Sequence, residues 1–257
     1  MRISETELLA LLAGFLWPFL RVGALFVSMP IFSNHSVPLR ARILMTLGVT
    51  VTLMPTLPAM PEVPLFSLGG LLIGIQQVVV GALFGLVLNF IFAAIVFGGQ
   101  SVAYSMGLGF AALIDPQSGV QVPVIAQFYL ILATLIFLGM DGHLLMIQLL
   151  AESFRAIPVD LRGLDGDRLW GICLWSSQLF AAGVLMSLPI IGALLLINLG
   201  FGVASRSAPQ LNIFSVGFPV SLLVGLVLIW AGLPNVMEFF AGFLEQGYQV
   251  LHQMIQK

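Results

Sequence analysis

Charged residues make up 8% of this chain and hydrophobic residues 60%, so an ionisable side chain inside an apolar stretch stands out. Arg21 lies well inside the apolar run Leu8–Phe32, just after Pro18. A central arginine costs ~2.5–3.5 kcal/mol on membrane-insertion scales, and such a charge marks either a structural pair or a role in a water-filled path. Asp141 and His143 fall in the sequence GMDGH, at the end of an apolar run, where the flanking glycines predict a bend at a membrane surface. A solvated turn, a proton relay and a metal ligand all compete for this pair. A metal would need further ligands, and the three histidines, His35, His143 and His252, lie far apart in sequence. Asp115 and Asp141 are the aspartates next to apolar runs, which raises an intramembrane aspartic protease. Their flanks, ALIDPQ and LGMDGH, lack the Tyr-Asp and Gly-x-Gly-Asp contexts of such enzymes. H-E-x-x-H, G-x-S-x-G and P-loop patterns are absent from the sequence. The expectation is a protein that is not an enzyme, with no catalytic, metal or cofactor site.

The elements that carry these residues must be stable in lipid. A soluble domain carries about 25% charged residues, and this chain of 257 residues has a mean hydropathy of +1.10. The formal net charge of −2 argues against nucleic acid as a partner. Cys173 is the single cysteine, which excludes a disulfide framework or a cysteine-rich metal site; it reads as a small buried hydrophobe. The apolar run after Arg2 is too long for a secretory signal core and no A-x-A site follows, so it is expected as a retained first helix.

A spanning helix needs ~20 apolar residues. The candidates are Leu8–Phe32, Phe66–Phe97, Val124–Leu150, Leu169–Phe201 and Leu211–Leu233. Ile43–Met54 would cover only roughly 18 Å and is expected as a half-helix or as shielded by protein. Phe66–Phe97 has the opposite problem: as one helix it would run about 48 Å, so it must tilt, break or project out of the bilayer. Pro189 should kink Leu169–Phe201. Mismatched lengths of both signs suggest packing against other subunits. Ser4 and Glu7 form a capping box before the first run, and Asn235 and Glu238 a weaker one before the last segment, Asn235–Lys257. That segment is amphipathic, with Val236, Phe240, Phe243, Leu244, Leu251 and Met254 on one side, and could lie on the membrane or dock on a partner. Pro55–Pro64, PTLPAMPEVP, reads as an extended loop. The fold class is all-α: a polytopic membrane protein of long, kinked, tilted helices and half-helices.

Within Phe66–Phe97, Gly70, Gly74, Gly81 and Gly85 form two G-x-x-x-G pairs in phase on one helix face, an interface for close backbone approach inside the chain or with a partner. Gln76, Gln77, Asn89 and Gln100 are expected to hydrogen-bond neighbouring helices. Arg206 is the only charge between Leu169 and Met237; it reads as a membrane-surface anchor or as a second buried charge paired with a carboxylate. In the stretch Gly107–Gly119, glycines permit rearrangement and Asp115–Pro116 fits a helix N-cap followed by proline at the first helical position. A movable apolar gate and a plain interhelical loop both satisfy that pattern.

Two motifs, MGLGFAALIDPQSG (Met106–Gly119) and SRSAPQLNIFSVGFP (Ser205–Pro219), are similar to the FliR family of type III secretion export-gate proteins, in its flagellar branch. The likeness includes FLRVGALFVSMPIF (Phe19–Phe32) and VPLRARILMTLGV (Val37–Val49) and extends over essentially the whole chain. It implies a subunit that assembles with FliP, FliQ and FlhB into a helical cone in the bacterial inner membrane, at the flagellar basal body, with unfolded flagellar proteins passing through its centre. It implies one export-gate domain over the whole chain, with a first part to about residue 150 and a second part carrying a helical hairpin and the C-terminal helix. It also implies a channel-sealing loop at about Met106–Gln121, with Phe110 and Leu113 as apolar plug residues and Gly107, Gly109 and Gly119 as hinges. Some members carry a second phenylalanine where this chain has Leu113, so the smaller residue bears on the tightness of the seal. The competing expectation from the residues alone is a self-contained transporter or permease, which predicts internal symmetry and a midplane polar site; no inverted repeat is visible.

Overall fold

The computed structural model describes residues 5–33, 37–58, 60–61, 63–109, 124–160, 166–207 and 217–256, with side chains from residue 11 onward. Among the described residues the regular structure is entirely helical: α1 (Glu5–Ser28), α2 (Pro30–Ser33), α3 (Leu39–Leu53), α4 (Leu68–Ser105), α5 (Val124–Gly139), α6 (Gly142–Ala156), α7 (Gly166–Trp175), α8 (Gln178–Ser207) and α9 (Phe218–Gln256). Among the described residues, four spans are long and apolar enough to cross a membrane: Leu11–Ser28, Leu68–Ser105, Gly166–Arg206 and Phe218–Gln256; α5 with α6 makes a fifth if the bent pair is one span. The chain is an all-α polytopic membrane protein.

The helix lengths follow from what lipid penalises. In hydrocarbon an unpaired backbone group costs several kcal/mol, so a helix ends only where something else satisfies its last carbonyls. The helix α4 has 38 residues with neither charge nor proline and runs unbroken. At 1.5 Å per residue it extends about 57 Å, nearly twice a ~30 Å hydrocarbon core, which leaves tilt or projection and removes the break. The 39-residue α9 also runs unbroken, through Pro234. This overturns the expected helix start at Asn235: a proline deletes one hydrogen bond of the ladder, and membrane helices absorb that loss. The amphipathic side of its C-terminal part is covered within the chain, with Phe240, Phe243, Leu244, Leu251 and Met254 all buried, rather than left for a bilayer surface. Similarly, α1 continues through Pro18 and α8 through Pro189. The run Leu169–Phe201 is interrupted at Ser176–Ser177, between α7 and α8, where the sequence carries no boundary signal.

The short elements have identifiable stops. The 15-residue α3 starts at Leu39, after Pro38 in an extended conformation, and passes into a single 3₁₀ turn, Met54–Thr56. It covers about 22 Å and remains a half-helix. The run Val124–Leu150 is divided at Asp141, which takes the left-handed conformation (φ 54°) and starts α6. Ser4, and with it the expected capping box, lies outside the described residues.

Close contacts divide the chain into two units: Met1–Phe90 with Asp141–Ser176 and Glu245–Lys257, and Ile91–Met140 with Ser177–Leu244. In the first, Ala13, Trp17, Ile73, Phe154 and Val159 form a core, and the proline-rich loop covers it with Leu57, Met60, Val63 and Leu65. In the second, Phe92 packs edge-on against Phe137 (5.8 Å) and Phe240 (5.5 Å). There α4 meets α8 through paired glycines: a Cβ on Gly98 would lie 2.9 Å from the Gly183 carbonyl oxygen, and one on Gly183 would lie 2.8 Å from that of Ala94. Cys173, expected to be buried, is exposed on α7. An apolar residue need not hide inside protein when lipid is the solvent.

Candidate functional site

Arg21 is completely buried. Its Nε donates to Gln77 Oε1 (2.8 Å), Nη1 to Ser153 Oγ (3.0 Å) and Nη2 to the Ile157 carbonyl oxygen (2.8 Å). The guanidinium carbon stands 4.0 Å from the centre of the Phe154 ring. A planar fork of donors suits this geometry, since one side chain reaches three acceptors and stacks on an aromatic face. All three acceptors are neutral: an amide, a hydroxyl and a peptide carbonyl. The carboxylate partner expected of a structural ion pair is therefore replaced by three dipoles. Arg21 ties α1 to α4 through Gln77, and to the end of α6 through Ser153, Phe154 and Ile157.

The same crossing explains the glycine stripe. Gly70, Gly74, Gln77, Gly81 and Gly85 follow one another at offsets of four, three, four and four, which places all five on one face of α4. A Cβ on Gly81 would fall on the Arg21 carbonyl oxygen, and one on Gly85 on the Ser28 hydroxyl. At Gly74 the neighbour is Leu20 Cδ1, at an ordinary 3.5 Å. Gly70 meets the carbonyls of Pro64 and Leu65 where the proline-rich loop turns into α4. The stripe thus faces α1 of the same chain. Asn89 extends it by one turn and donates to the Ser28 carbonyl oxygen. At Gln77 the remaining Nε2 is buried without a partner among the described residues.

The segment with the glycine-rich motif leaves α4 at a well-formed stop. The Gly107 N–H donates to the Tyr104 carbonyl (3.0 Å) and the Leu108 N–H to the Ala103 carbonyl (3.0 Å), with Gly107 at φ 85°. These two bonds around a left-handed residue are the Schellman motif, which satisfies the last carbonyls of the helix. Gly107 is a helix cap here. A Cβ on it would lie 2.8 Å from Phe218 Cδ2, and one on Gly109 would lie 2.9 Å from Tyr104 Cδ1. Phe110, Leu113, Asp115, Pro116 and Gly119 lie outside the described residues.

Arg206, read as either a surface anchor or a buried charge, is exposed in the last turn of α8, which excludes the buried alternative within this chain. A cation there complements the helix C-terminal carbonyls without a carboxylate. Asp141 is exposed at the bend. Among the described residues no three of His, Cys, Asp and Glu gather as a metal site. His143 borders a cavity of about 330 Å³ that is otherwise lined mostly by apolar side chains of α1, α2, α3 and α6, among them Phe26, Phe32, Met45 and Ile147, and by Met29 between α1 and α2. The structure also brings forward residues that the sequence reading passed over: Gly98, Gly183 and Gly225 as contact glycines, and Ser153 as an acceptor for Arg21. Small residues on apolar helices signalled the first three, whereas Ser153 sits in the polar end of α6 and carried no sign of its partner.

Residues 12–247 match the family model described as bacterial export proteins, family 1. The chain is 35% identical over 257 residues to flagellar biosynthetic protein FliR of Escherichia coli, covering 100% of this chain and 98% of that protein. It is 36% identical to the protein of the same name from Pectobacterium carotovorum, covering 99% and 97%. With that of Bacillus subtilis it shares 31% over 226 residues, 87% of each. The residues that pack around Arg21 and the two motif stems lie inside the matched region, and the chain is a member of the FliR family of bacterial export proteins.

Proposed function

We propose that this protein is a non-enzymatic core subunit of the flagellar type III protein export gate, in the bacterial inner membrane at the basal body. It works there with FliP, FliQ and FlhB subunits, helping to form and seal the channel through which unfolded flagellar proteins cross. The observation that carries this reading is the full-length match to proteins named for flagellar biosynthesis. The geometry supports it in three ways. The helix α4 is about 57 Å long, more than a bilayer core accommodates upright, as suits a subunit that projects into an assembly. Large apolar side chains on α8 and α9, such as Leu196 and Trp230, are exposed and available to lipid or to other subunits. The motif segment at Met106–Gln121 begins at a rigid cap, which gives a short apolar plug a fixed base.

In this reading Phe110 and Leu113 supply the apolar constriction, which closes to ions by dewetting. Asp115 and Pro116 restart the helix behind it, and Gly109 and Gly119 allow the plug to be displaced by a passing chain. The test is co-expression with the FliP and FliQ subunits of the same bacterium, followed by native mass spectrometry in detergent. A single heteromeric mass containing this chain is the expected result. A monomer or homo-oligomer that ignores both partners would overturn the proposal and favour a self-contained transporter.

A further inference from the structure

The two motifs most characteristic of this chain, Met106–Gly119 and Ser205–Pro219, are about 100 residues apart in sequence, and their described ends touch. Met106 is 1% exposed. Its side chain fills the space that a side chain at Gly225 would occupy: Cγ, Cε and Sδ lie 2.6, 2.7 and 2.8 Å from the position of a Cβ there. Gly107, in its left-handed conformation, leaves room for the Phe218 ring in the same way. Phe218, Ser221 and Gly225 are spaced by three and four residues, so they share one face of the first two turns of α9. Ser221 on that face is buried and donates to Asn198 Oδ1 of α8 (2.8 Å). The C-terminal cap of α4, the start of α9 and the second half of α8 are therefore fastened at one point. Two glycines, each lacking a Cβ where a neighbour's side chain sits, make the fit possible.

We propose that Met106 is a positioning residue: a wedge seated in the notch at Gly225 that holds the stem of the first motif against the start of α9, so that the two motif segments are set by one joint. Methionine suits this role, because an unbranched thioether fills an irregular notch that a branched side chain would not. The consequence for the channel rests on the proposed sealing function: a displaced wedge moves the base of the plug and loosens the closed state. The joint itself is independent of that reading.

The experiment uses the full chain in its assembled complex, in a Cys173→Ser background with Leu108→Cys as a reporter beside the joint. Gly225→Ala adds a methyl group where the Met106 side chain sits. The maleimide labelling rate of the reporter thiol is expected to rise several-fold in Gly225→Ala and in Met106→Ala. The Met106→Ala/Gly225→Ala double variant should label no faster than Met106→Ala alone, because the wedge has already been removed. An unchanged rate in Gly225→Ala, or effects of the two changes that simply multiply, would overturn the joint. Resting ion conductance in planar bilayers, normalised to the amount of assembled complex, should follow the same non-additive pattern. Phe110→Ala separates the two ideas. If it raises conductance while Gly225→Ala changes neither conductance nor labelling, the seal stands and the joint fails. If labelling follows the expected pattern and no variant changes conductance, the joint stands and the seal fails.

Discussion

Replacing Arg21 with methionine tests the view that a buried cation is held here by neutral dipoles. Methionine keeps much of the apolar stem and removes the fork. Gln77 Oε1 and the Ile157 carbonyl then lose their donors, while Ser153 Oγ still donates to the Leu150 carbonyl oxygen at 2.6 Å. Two orphaned buried acceptors cost ~1–3 kcal/mol each. The lost contact with Phe154 adds about 2 kcal/mol for a desolvated cation–π pair. Against this, the variant no longer carries an arginine in an apolar span, a relief of ~2.5–3.5 kcal/mol. The balance is a net destabilisation of roughly 0.5–5.5 kcal/mol, centred near 3. At ~2–4 °C per kcal/mol for a domain of this size, the central value lowers the thermal midpoint of the full chain in detergent by about 6–12 °C. The diagnostic is Gln77→Leu. In the wild type it strands the Arg21 Nε and lowers the midpoint. In Arg21→Met it removes an orphaned acceptor and raises the midpoint. Tryptophan fluorescence during a melt reads all four proteins. Equal lowering by Gln77→Leu in both backgrounds, or a midpoint for Arg21→Met at or above that of the wild type, would refute the reasoning.

Two further predictions concern the backbone. Gly81→Ala puts a methyl group on the Arg21 carbonyl oxygen and should lose several kcal/mol or fail to accumulate, whereas Gly74→Ala meets only Leu20 Cδ1 at 3.5 Å and should gain ~0.5–1 kcal/mol from helix propensity; yield and melting midpoint of the two variants check the contrast. Asp141 holds a left-handed conformation at the start of α6, so Asp141→Gly should preserve or raise stability by up to about 1 kcal/mol while Asp141→Val lowers it; the same pair in a swimming assay asks whether the carboxylate itself is needed, since loss of motility in a stable Asp141→Gly protein would point to chemistry rather than to the turn.

Much of the fold was legible because hydropathy is a local sum. An uncharged apolar stretch such as Phe66–Phe97 must be helical in lipid whatever surrounds it, and the structure extends it at its C-terminal end to Ser105. The glycine stripe was legible for a related reason, since its phase depends only on the 3.6-residue repeat. Element ends were harder to read. Pro234 and Asn235 carry the marks of a boundary, yet a helix in an apolar medium loses more by exposing a set of terminal carbonyls than by forgoing one hydrogen bond at a proline. Of the loop motif, only its base at Met106–Gly109 lies among the described residues, and there Gly107 closes a helix.

The sequence by itself determined that this is a helical membrane protein, where its long uncharged helices lie, which face of α4 admits a close neighbour, and, through its motifs, the family. Only the tertiary structure decided that this neighbour is α1 of the same chain, that Arg21 is held by an amide, a hydroxyl and a carbonyl, that Arg206 is exposed, and that Met106 lies against Gly225. The reason is the range of the interactions. Hydrophobic transfer and helical periodicity act within a few turns, so residues adjacent in sequence record them. Ser153 and Ile157 stand more than 130 positions from Arg21, and a serine or a peptide carbonyl looks the same in sequence whether it faces solvent or a buried guanidinium.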